Sequence, residues 1–234
     1  MSTTNQPDAP TRPAGKKAYK GIGMEGFLAR WYAKNTGRNI DDYRKAAEMV
    51  SAQVQSGGSV LEVAPGPGYL AIELARISNC TVVGLDISHS FVEMATQNAQ
   101  TAGVAASFRQ GDAAAMPFDD DAFHFIVCRA AFKNFARPVP ALNEMYRVLK
   151  PGGKAVIIDL SKDASPADIN ATVNAMRLGL VNSAMTKLVF KHMLLKRAYR
   201  QEDFHRMAHE SRFGSCQIRV DGIGLEVWLT RPAG

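Results

Sequence analysis

The sequence predicts an α/β fold in which helices cover both faces of a mostly parallel sheet. Strand-like apolar runs alternate with amphipathic helical stretches, and a glycine-rich turn separates the first such run from the first helix. The chain has 234 residues, of which 46% are hydrophobic and 21% are charged, so a single domain can bury a sizeable core. No run of about 18 apolar residues occurs, and no membrane span is predicted.

The predicted elements follow one another in a regular order. The five strands of the central region are residues 59–64, 81–85, 106–110, 123–128 and 155–159. The helices between them are residues 69–77, 91–101 and 138–148. Two further strands, residues 216–220 and 224–230, flank the turn-like pair Asp221 and Gly222. This alternation is typical of a doubly wound sheet.

Three further regions complete the predicted organisation. Residues 1–18 are rich in Pro, Thr and Ala, which predicts a disordered leader without a secretory signal. Residues 19–56 form a predicted helical cap, and residues 57–234 form the α/β domain with a helical lid insertion at about 164–198. The three cysteines are widely spaced and form no CxxC pair, so we expect buried thiols in a reducing cytoplasm.

The formal net charge of +6 has more than one interpretation. Much of the excess lies in Lys187, Lys191, Lys196, Arg197 and Arg200, which is compatible with a solvated helix face, an acidic ligand or peripheral contact with an anionic membrane. Nucleic acid is not expected as a partner, because the sequence has no Arg/Gly repeat, basic tail or RNP-like pattern. The sequence makes no prediction about oligomeric state.

The turn at residues 65–68 reads Pro-Gly-Pro-Gly and lies where the first strand ends and the first helix begins. Gly66 and Gly68 have no side chain, which lets a ligand approach the backbone near a helix N-terminus. Gly66 to Ala71 also matches the dinucleotide pattern GxGxxA, with Asp86 placed for a ribose. The turn alone is therefore also compatible with a dinucleotide as the ligand.

Three other features narrow the choice. Glu62 interrupts the first strand just before the turn, and Gly-Asp-Ala at 111–113 follows the third strand. A helix in residues 143–153 ends in Pro-Gly-Gly before the fifth strand. With these motifs, residues 60–160 resemble the class I S-adenosylmethionine-dependent methyltransferases, and more narrowly the ubiquinone/menaquinone biosynthesis branch.

The resemblance implies a Rossmann-like, seven-stranded sheet with one antiparallel strand, S-adenosyl-L-methionine as cofactor, and methyl transfer to O, N, S or C of a small, partly apolar acceptor. It implies that Glu62 and Arg129 lie near the methionine end, that Asp86 binds the ribose hydroxyls, and that Asp112 binds the adenine amino group. The implied cofactor-binding set is Glu62, Ala64, Gly66, Gly68, Asp86, Ile87, Gly111, Asp112, Ala113 and Arg129.

Catalysis has no obligatory signature, because the methyl carbon is already activated and orientation with desolvation supplies much of the acceleration. The candidate catalytic residues are Lys133 and Arg129 in the loop after the fourth strand. Lys133 could bind an acidic acceptor, act as a base, or be an ordinary solvated lysine. The candidate substrate-binding residues are Trp31, Tyr32, Phe132, Lys133, Met176 and Leu180.

Other functions remain open at this point. They are RNA methylation, binding of the cofactor without turnover, and use of the same cofactor for chemistry other than methylation. His205 and His209 share a helix face, but no third ligand is evident, so a surface pair is predicted and no metal is expected.

Overall fold

The computed structural model describes residues 19–20, 25–26, 29–30, 33, 40–175 and 195–234. The predicted leader and most of the predicted lid lie outside these residues, as do four predicted substrate-binding positions, Trp31, Tyr32, Met176 and Leu180. Residues 26, 29, 30 and 33 are helical.

The described elements follow the predicted order closely. The strands are β1 Ser59–Val63, β2 Thr81–Asp86, β3 Ala106–Gln110, β4 Phe123–Arg129, β5 Leu149–Leu160, β6 Gln217–Asp221 and β7 Gly224–Thr230. The main helices are α1 Ile40–Ser51, α2 Tyr69–Ile77, α3 His89–Ala102, α4 Pro138–Val148, α5 Pro166–Ala175 and α6 Gln201–Glu210. Short helical turns lie at Phe132–Asn134 and Leu195–Arg197.

The strands form one seven-stranded sheet in the order β3-β2-β1-β4-β5-β7-β6. The pairs among β1 to β5 are parallel, whereas β7 runs antiparallel to both β5 and β6. The fold prediction, a mostly parallel seven-stranded sheet with one antiparallel strand, is confirmed. The carboxyl ends of β1, β2, β4 and β5 therefore meet at one edge, where α/β sheets bind ligands.

Alternating residues of the central strands belong to two separate hydrophobic clusters. Ile126 and Ile157 belong to the cluster that includes residues of α4 and α6. Their neighbours Phe125 and Val156 belong to the cluster that includes residues of α1 and α2. Because side chains alternate across a strand, each face of the sheet buries its own core, which confirms helices on both faces.

The prediction for β5 was wrong at its beginning. The strand starts at Leu149, not at residue 155, and it includes the Pro-Gly-Gly that we expected to end the preceding helix. Its register against β4 jumps there, because Phe123 pairs with Leu149 while Phe125 pairs with Lys154. The regular pairing with β4 is interrupted at the extra residues, which instead contact the C-terminal segment: the Gly152 N–H donates to the Arg231 carbonyl at 3.0 Å, and the Gly153 carbonyl accepts from the Arg231 N–H at 3.0 Å.

The edge strands β3 and β6 are each five residues long. Each carries an arginine stacked on an aromatic ring: Arg109 lies 5.6 Å from the Phe118 ring centre, and Arg219 lies 5.4 Å from that of Trp228. Within the described ranges, no helix has both the length and the apolar character needed to cross a membrane.

Candidate active site

The turn after β1 has a left-handed backbone at three positions, with φ of 58° at Ala64, 56° at Gly66 and 82° at Gly68. The Ala64 N–H donates to the Leu85 carbonyl at 2.8 Å, which ties the turn to β2. A Cβ at Gly66 would meet nothing within 4 Å, whereas one at Gly68 would lie 2.9 Å from the Ala95 Cβ. Gly68 thus permits helix packing, and Gly66 leaves space beside the backbone for a ligand.

Asp86 ends β2, and its two carboxylate oxygens connect the turn after β1 to the loop after β2. Its Oδ2 accepts from the Gly66 N–H at 3.0 Å and its Oδ1 from the Ser88 N–H at 2.9 Å. The residue is only 5% exposed, and this burial raises the pKa of its carboxyl to about 6 despite those two donors. Each oxygen retains lone-pair capacity for a further donor, as a hydroxyl-bearing ligand would supply.

Glu62 lies two residues before Ala64 and is 4% exposed. Burial raises the pKa of its carboxyl to about 8, although the Ala71 backbone N–H and the Arg129 charge act in the opposite direction. Its Oε2 has no hydrogen-bond partner among the described residues. A buried carboxylate oxygen without a donor is costly, so this position suits a ligand that brings a cationic or N–H group.

Arg129 lies at the end of β4 and links the turn to the N-terminal region. Its guanidinium lies 4.6 Å from the ring centre of Tyr43 on α1, and it is close enough to Glu62 to lower that carboxyl's pKa. The structure therefore brings Glu62, Asp86 and Arg129 together at the carboxyl edge of the sheet. The contact between Tyr43 and Arg129 could not be predicted from the sequence, because the two residues are 86 positions apart.

Asp112 is buried after β3, and both of its oxygens accept hydrogen bonds. Its Oδ1 accepts from the Ala114 N–H at 2.9 Å and its Oδ2 from Arg137 Nη2 at 2.7 Å. Gly111 joins this loop to β2 by donating its N–H to the Asp86 carbonyl at 2.8 Å. Arg137 did not appear among the predicted site residues, yet it holds the Asp112 carboxylate in place.

Two other predicted residues flank this region. Ile87 is half-buried, and its carbonyl accepts from Gln110 Nε2 at 3.1 Å. Ala113 is also half-buried beside Asp112. Both thus lie on the loops that follow β2 and β3, on the same edge of the sheet as Asp86.

Lys133 is not the solvated lysine that was one of its predicted interpretations. Its Nζ lies 2.6 Å from Asp159 Oδ1 and donates to the Ala130 carbonyl at 2.7 Å, while its backbone N–H donates to Asp159 Oδ2 at 3.1 Å. The side chains of Lys133 and Asp159 are 11% and 1% exposed. Asp159 was missed by the sequence analysis, because no motif marks an acid at the end of β5.

Phe132 precedes Lys133 and is fully enclosed, with 0% exposure. Its ring centre lies 5.1 Å from that of Phe135, 5.6 Å from Phe204 and 6.1 Å from Tyr199. This aromatic cluster anchors the loop after β4 to α6. The structure thus places Phe132 in the wall behind Lys133, and not on an accessible surface.

The Nδ1 atom of His205 lies 3.5 Å from the Sγ atom of Cys216. No group of three metal-ligating side chains occurs in the part of the chain that the structure describes. The His205 and His209 pair therefore has no described third ligand.

Comparison with known proteins gives a consistent result. Residues 54–212 match a family model described as a methyltransferase domain. A demethylmenaquinone methyltransferase of Deinococcus radiodurans is 31% identical over 83% of this chain and 76% of its own length. A ubiquinone/menaquinone biosynthesis C-methyltransferase UbiE of Roseobacter denitrificans is 32% identical over 92% of this chain and 91% of its own.

A solved structure from Methanococcus maripaludis, described as an S-adenosyl-L-methionine-dependent methyltransferase, has a similar fold. It superposes with a TM-score of 0.73 at 21% identity, and the match covers 94% of this chain and 99% of that one. At this identity the likeness concerns the fold alone, and it agrees with the strand order found here.

Proposed function

Because the chain belongs to the S-adenosylmethionine-dependent methyltransferases, we propose that it methylates a small, partly apolar acceptor of the quinol or phenol class. The enzyme class and the cofactor follow from the family. The acceptor class is supported by the two relatives, whose names specify demethylmenaquinone and ubiquinone/menaquinone biosynthesis. The observation that carries the site is the set of buried carboxylates around the left-handed turn at residues 64–68.

The residues of this edge fit S-adenosyl-L-methionine. Glu62 offers a buried oxygen that lacks a donor, Gly66 leaves open space beside its backbone, and Asp86 has spare acceptor capacity. We assign Glu62 and Arg129 to the amino-acid end of the cofactor, and Asp86 and Asp112 to its nucleoside end. When bound, the cofactor supplies a methyl group on a positively charged sulfur.

The chain's own contribution to transfer is orientation and exclusion of water. The loop after β4 is held rigidly, because Ala130 adopts φ of 58° and donates its N–H to the Ile158 carbonyl at 2.7 Å. Lys133 is fixed next to it by Asp159. We assign this loop to the acceptor, with Lys133 as a fixed cation that orients a phenolic oxygen. Fixed orientation of this kind accounts for much of the barrier reduction in a direct displacement.

The test is turnover with defined acceptors. The purified chain is incubated under reducing, oxygen-free conditions with S-adenosyl-L-methionine carrying a labelled methyl group and a panel of short-chain naphthoquinols, benzoquinols and simple phenols. We expect labelled product with at least one quinol or phenol and a matching amount of S-adenosylhomocysteine. Binding of the cofactor without transfer to any of them would contradict the acceptor class.

A matched variant shows whether transfer depends on the proposed site. Asp86→Ala should weaken cofactor binding and lower turnover together, whereas Asp119→Ala, an exposed aspartate beyond the site, should leave both unchanged. Equal activity in the two variants would overturn the assignment of Asp86.

A further inference from the structure

A cavity of about 530 Å³ lies beside the loop after β4, within the size range of small-molecule sites. Its described lining consists mainly of cations, namely Lys20, Lys133, Lys162, Lys196 and Arg197, together with Ala198, Tyr199 and Asp203. The lining comes from four parts of the chain that are far apart in sequence. The fold therefore concentrates positive charge in one concave place.

Most of this charge has no ion-pair partner in the described part of the chain. Lys196 and Arg197 form no ion pair with a described residue, and Lys162 acts on Asp203 only from beyond ion-pairing distance, where its charge lowers the pKa of that carboxyl. Asp203 is already engaged, because it accepts from the Arg200 N–H at 3.0 Å and from Arg206 at 2.7 Å. Several cations around one cavity repel one another, and an anion placed between them removes that repulsion.

The cavity shares one residue, Lys133, with the loop assigned to the acceptor. Lys133 lies three residues after Ala130 in that loop. Tyr19 pairs with Phe135, which follows that loop, in a short β-bridge. Burial is the main cause that raises the pKa of the Tyr19 hydroxyl, while Arg197 lowers it and Asp86 raises it, so this phenol lies within electrostatic range of both.

We propose that this basic cavity binds an anionic group, a carboxylate or a phosphate, carried by the methyl acceptor. The acceptor would place its reacting ring at the loop after β4 and its anion among Lys162, Lys196 and Arg197. The inference rests on the proposed function in that the anion belongs to the acceptor. It goes further because it requires the acceptor to carry an acidic group, and a neutral quinol has no such group.

The shape of the site favours a small molecule over a membrane. The cations line a concavity, whereas a lipid surface would be met by cations beside exposed apolar side chains. The large apolar residues exposed in the described part of the chain are Ile40, Ile77 and Val220, and none of them lines the cavity. Anionic vesicles are therefore a contrasting arm of the test.

The experiment measures binding without turnover. The full chain, saturated with S-adenosylhomocysteine, is titrated calorimetrically with 2,5-dihydroxybenzoate, with its neutral match 2,5-dihydroxybenzamide, with inorganic pyrophosphate and with phosphatidylglycerol vesicles. The variants are the double substitution Lys196→Gln with Arg197→Gln and the control Lys45→Gln, an exposed lysine on α1 that does not line the cavity. S-adenosylhomocysteine affinity is measured in all three proteins as a check of folding.

We expect pyrophosphate to bind, and the benzoate to bind more tightly than the benzamide. The double variant should weaken pyrophosphate binding roughly fivefold to tenfold and abolish the preference for the acid, while the control behaves as the wild type. Failure of pyrophosphate to bind, or equal weakening in the control variant, would overturn the inference. So would an effect of the double variant that is confined to phosphatidylglycerol vesicles, because the cations would then serve a membrane.

These outcomes are independent of the turnover test. If no quinol or phenol is methylated but pyrophosphate binding depends on Lys196 and Arg197, the proposed acceptor class fails and the anion site stands. If a neutral quinol is methylated and no anion binds, the proposed acceptor class stands and the anion site fails.

Discussion

The turns after β1 and β4 have the same backbone construction and opposite electrostatics. In each, an alanine with φ of 58° donates its N–H to a carbonyl near the end of the neighbouring strand: Ala64 to Leu85, and Ala130 to Ile158. In each, the next residue of that strand is a buried aspartate that accepts a backbone N–H from the turn. Asp86 accepts from Gly66, and Asp159 accepts from Lys133.

The difference lies in what else reaches the aspartate. Asp159 is paired with the Lys133 ammonium, whereas no described cation lies within ion-pairing distance of Asp86. The β4 turn therefore satisfies its acid internally, which makes it a rigid support. The β1 turn leaves acceptor capacity open, which suits it to a ligand. The same backbone conformation thus carries an internally paired acid after β4 and an acid with open acceptor capacity after β1.

The strongest test of this contrast removes the internal cation. Lys133→Met should lower the free energy of unfolding by about 3 kcal/mol, because it leaves the Asp159 carboxylate buried without its partner. Chemical denaturation measures the loss, and adding Asp159→Asn should restore part of it. Turnover should fall more than cofactor affinity does. A loss of stability below about 1 kcal/mol would mean that the pair is not a support.

The second test addresses the open acid. Asp86→Ala should weaken S-adenosyl-L-methionine binding by about 1–3 kcal/mol, because charged hydrogen bonds to the ligand and the anchor of Gly66 are lost together. Calorimetric titration measures this, and thermal unfolding separates it from general destabilisation. Wild-type affinity in this variant would remove Asp86 from the cofactor site.

The third test uses pH at Glu62. With its pKa raised to about 8, this carboxyl is largely protonated at neutral pH, and a cationic ligand group would draw the proton off. Cofactor affinity should therefore rise between pH 6 and pH 8, by less than about tenfold per pH unit, with release of a proton. Calorimetry in buffers of different ionisation enthalpy detects the proton, and Glu62→Gln should abolish its release.

The raised pKa of Glu62 also makes the stability of the ligand-free protein decrease as pH rises. Because the folded-state pKa of Glu62 lies above its ordinary value of 4.5, its contribution is complete below about pH 4.5 and is lost as pH rises through about 8. Glu62→Gln should flatten this decline in denaturant titrations. The Asp86 carboxyl, with a pKa of about 6, causes a separate decline at lower pH that remains in the variant.

The smallest expected effect is on stability and comes from the left-handed alanine that the two turns share. Ala64→Gly and Ala130→Gly should each raise the free energy of unfolding by about 0.5 kcal/mol, because glycine tolerates φ of 58° while losing more chain entropy on folding. Ala75→Gly inside α2 is the matched control and should destabilise by about 1 kcal/mol. Calorimetric melting compares the three. Destabilisation of all three would show that neither turn is strained.

Local patterns were sufficient to predict much of this arrangement. Strand periodicity and the glycines of the β1 turn placed Glu62 and Asp86 at one edge, because parallel strands align their ends. Side-chain pairings across the fold had no such signal. Lys133 meets an acid 26 residues later in the chain, and Asp112 meets an arginine 25 residues later. Such pairs depend on packing between elements, which the pattern of a single element does not contain.

The arginines of the two edge strands have a consequence for how the molecule behaves in a crowded solution. A foreign strand that extended the sheet past β3 or β6 would have to strip water from Arg109 or Arg219 along only five residues of backbone. That exchange is unfavourable, since little hydrogen bonding is gained and a charge is dehydrated. Both edges of the sheet therefore disfavour growth by strand addition.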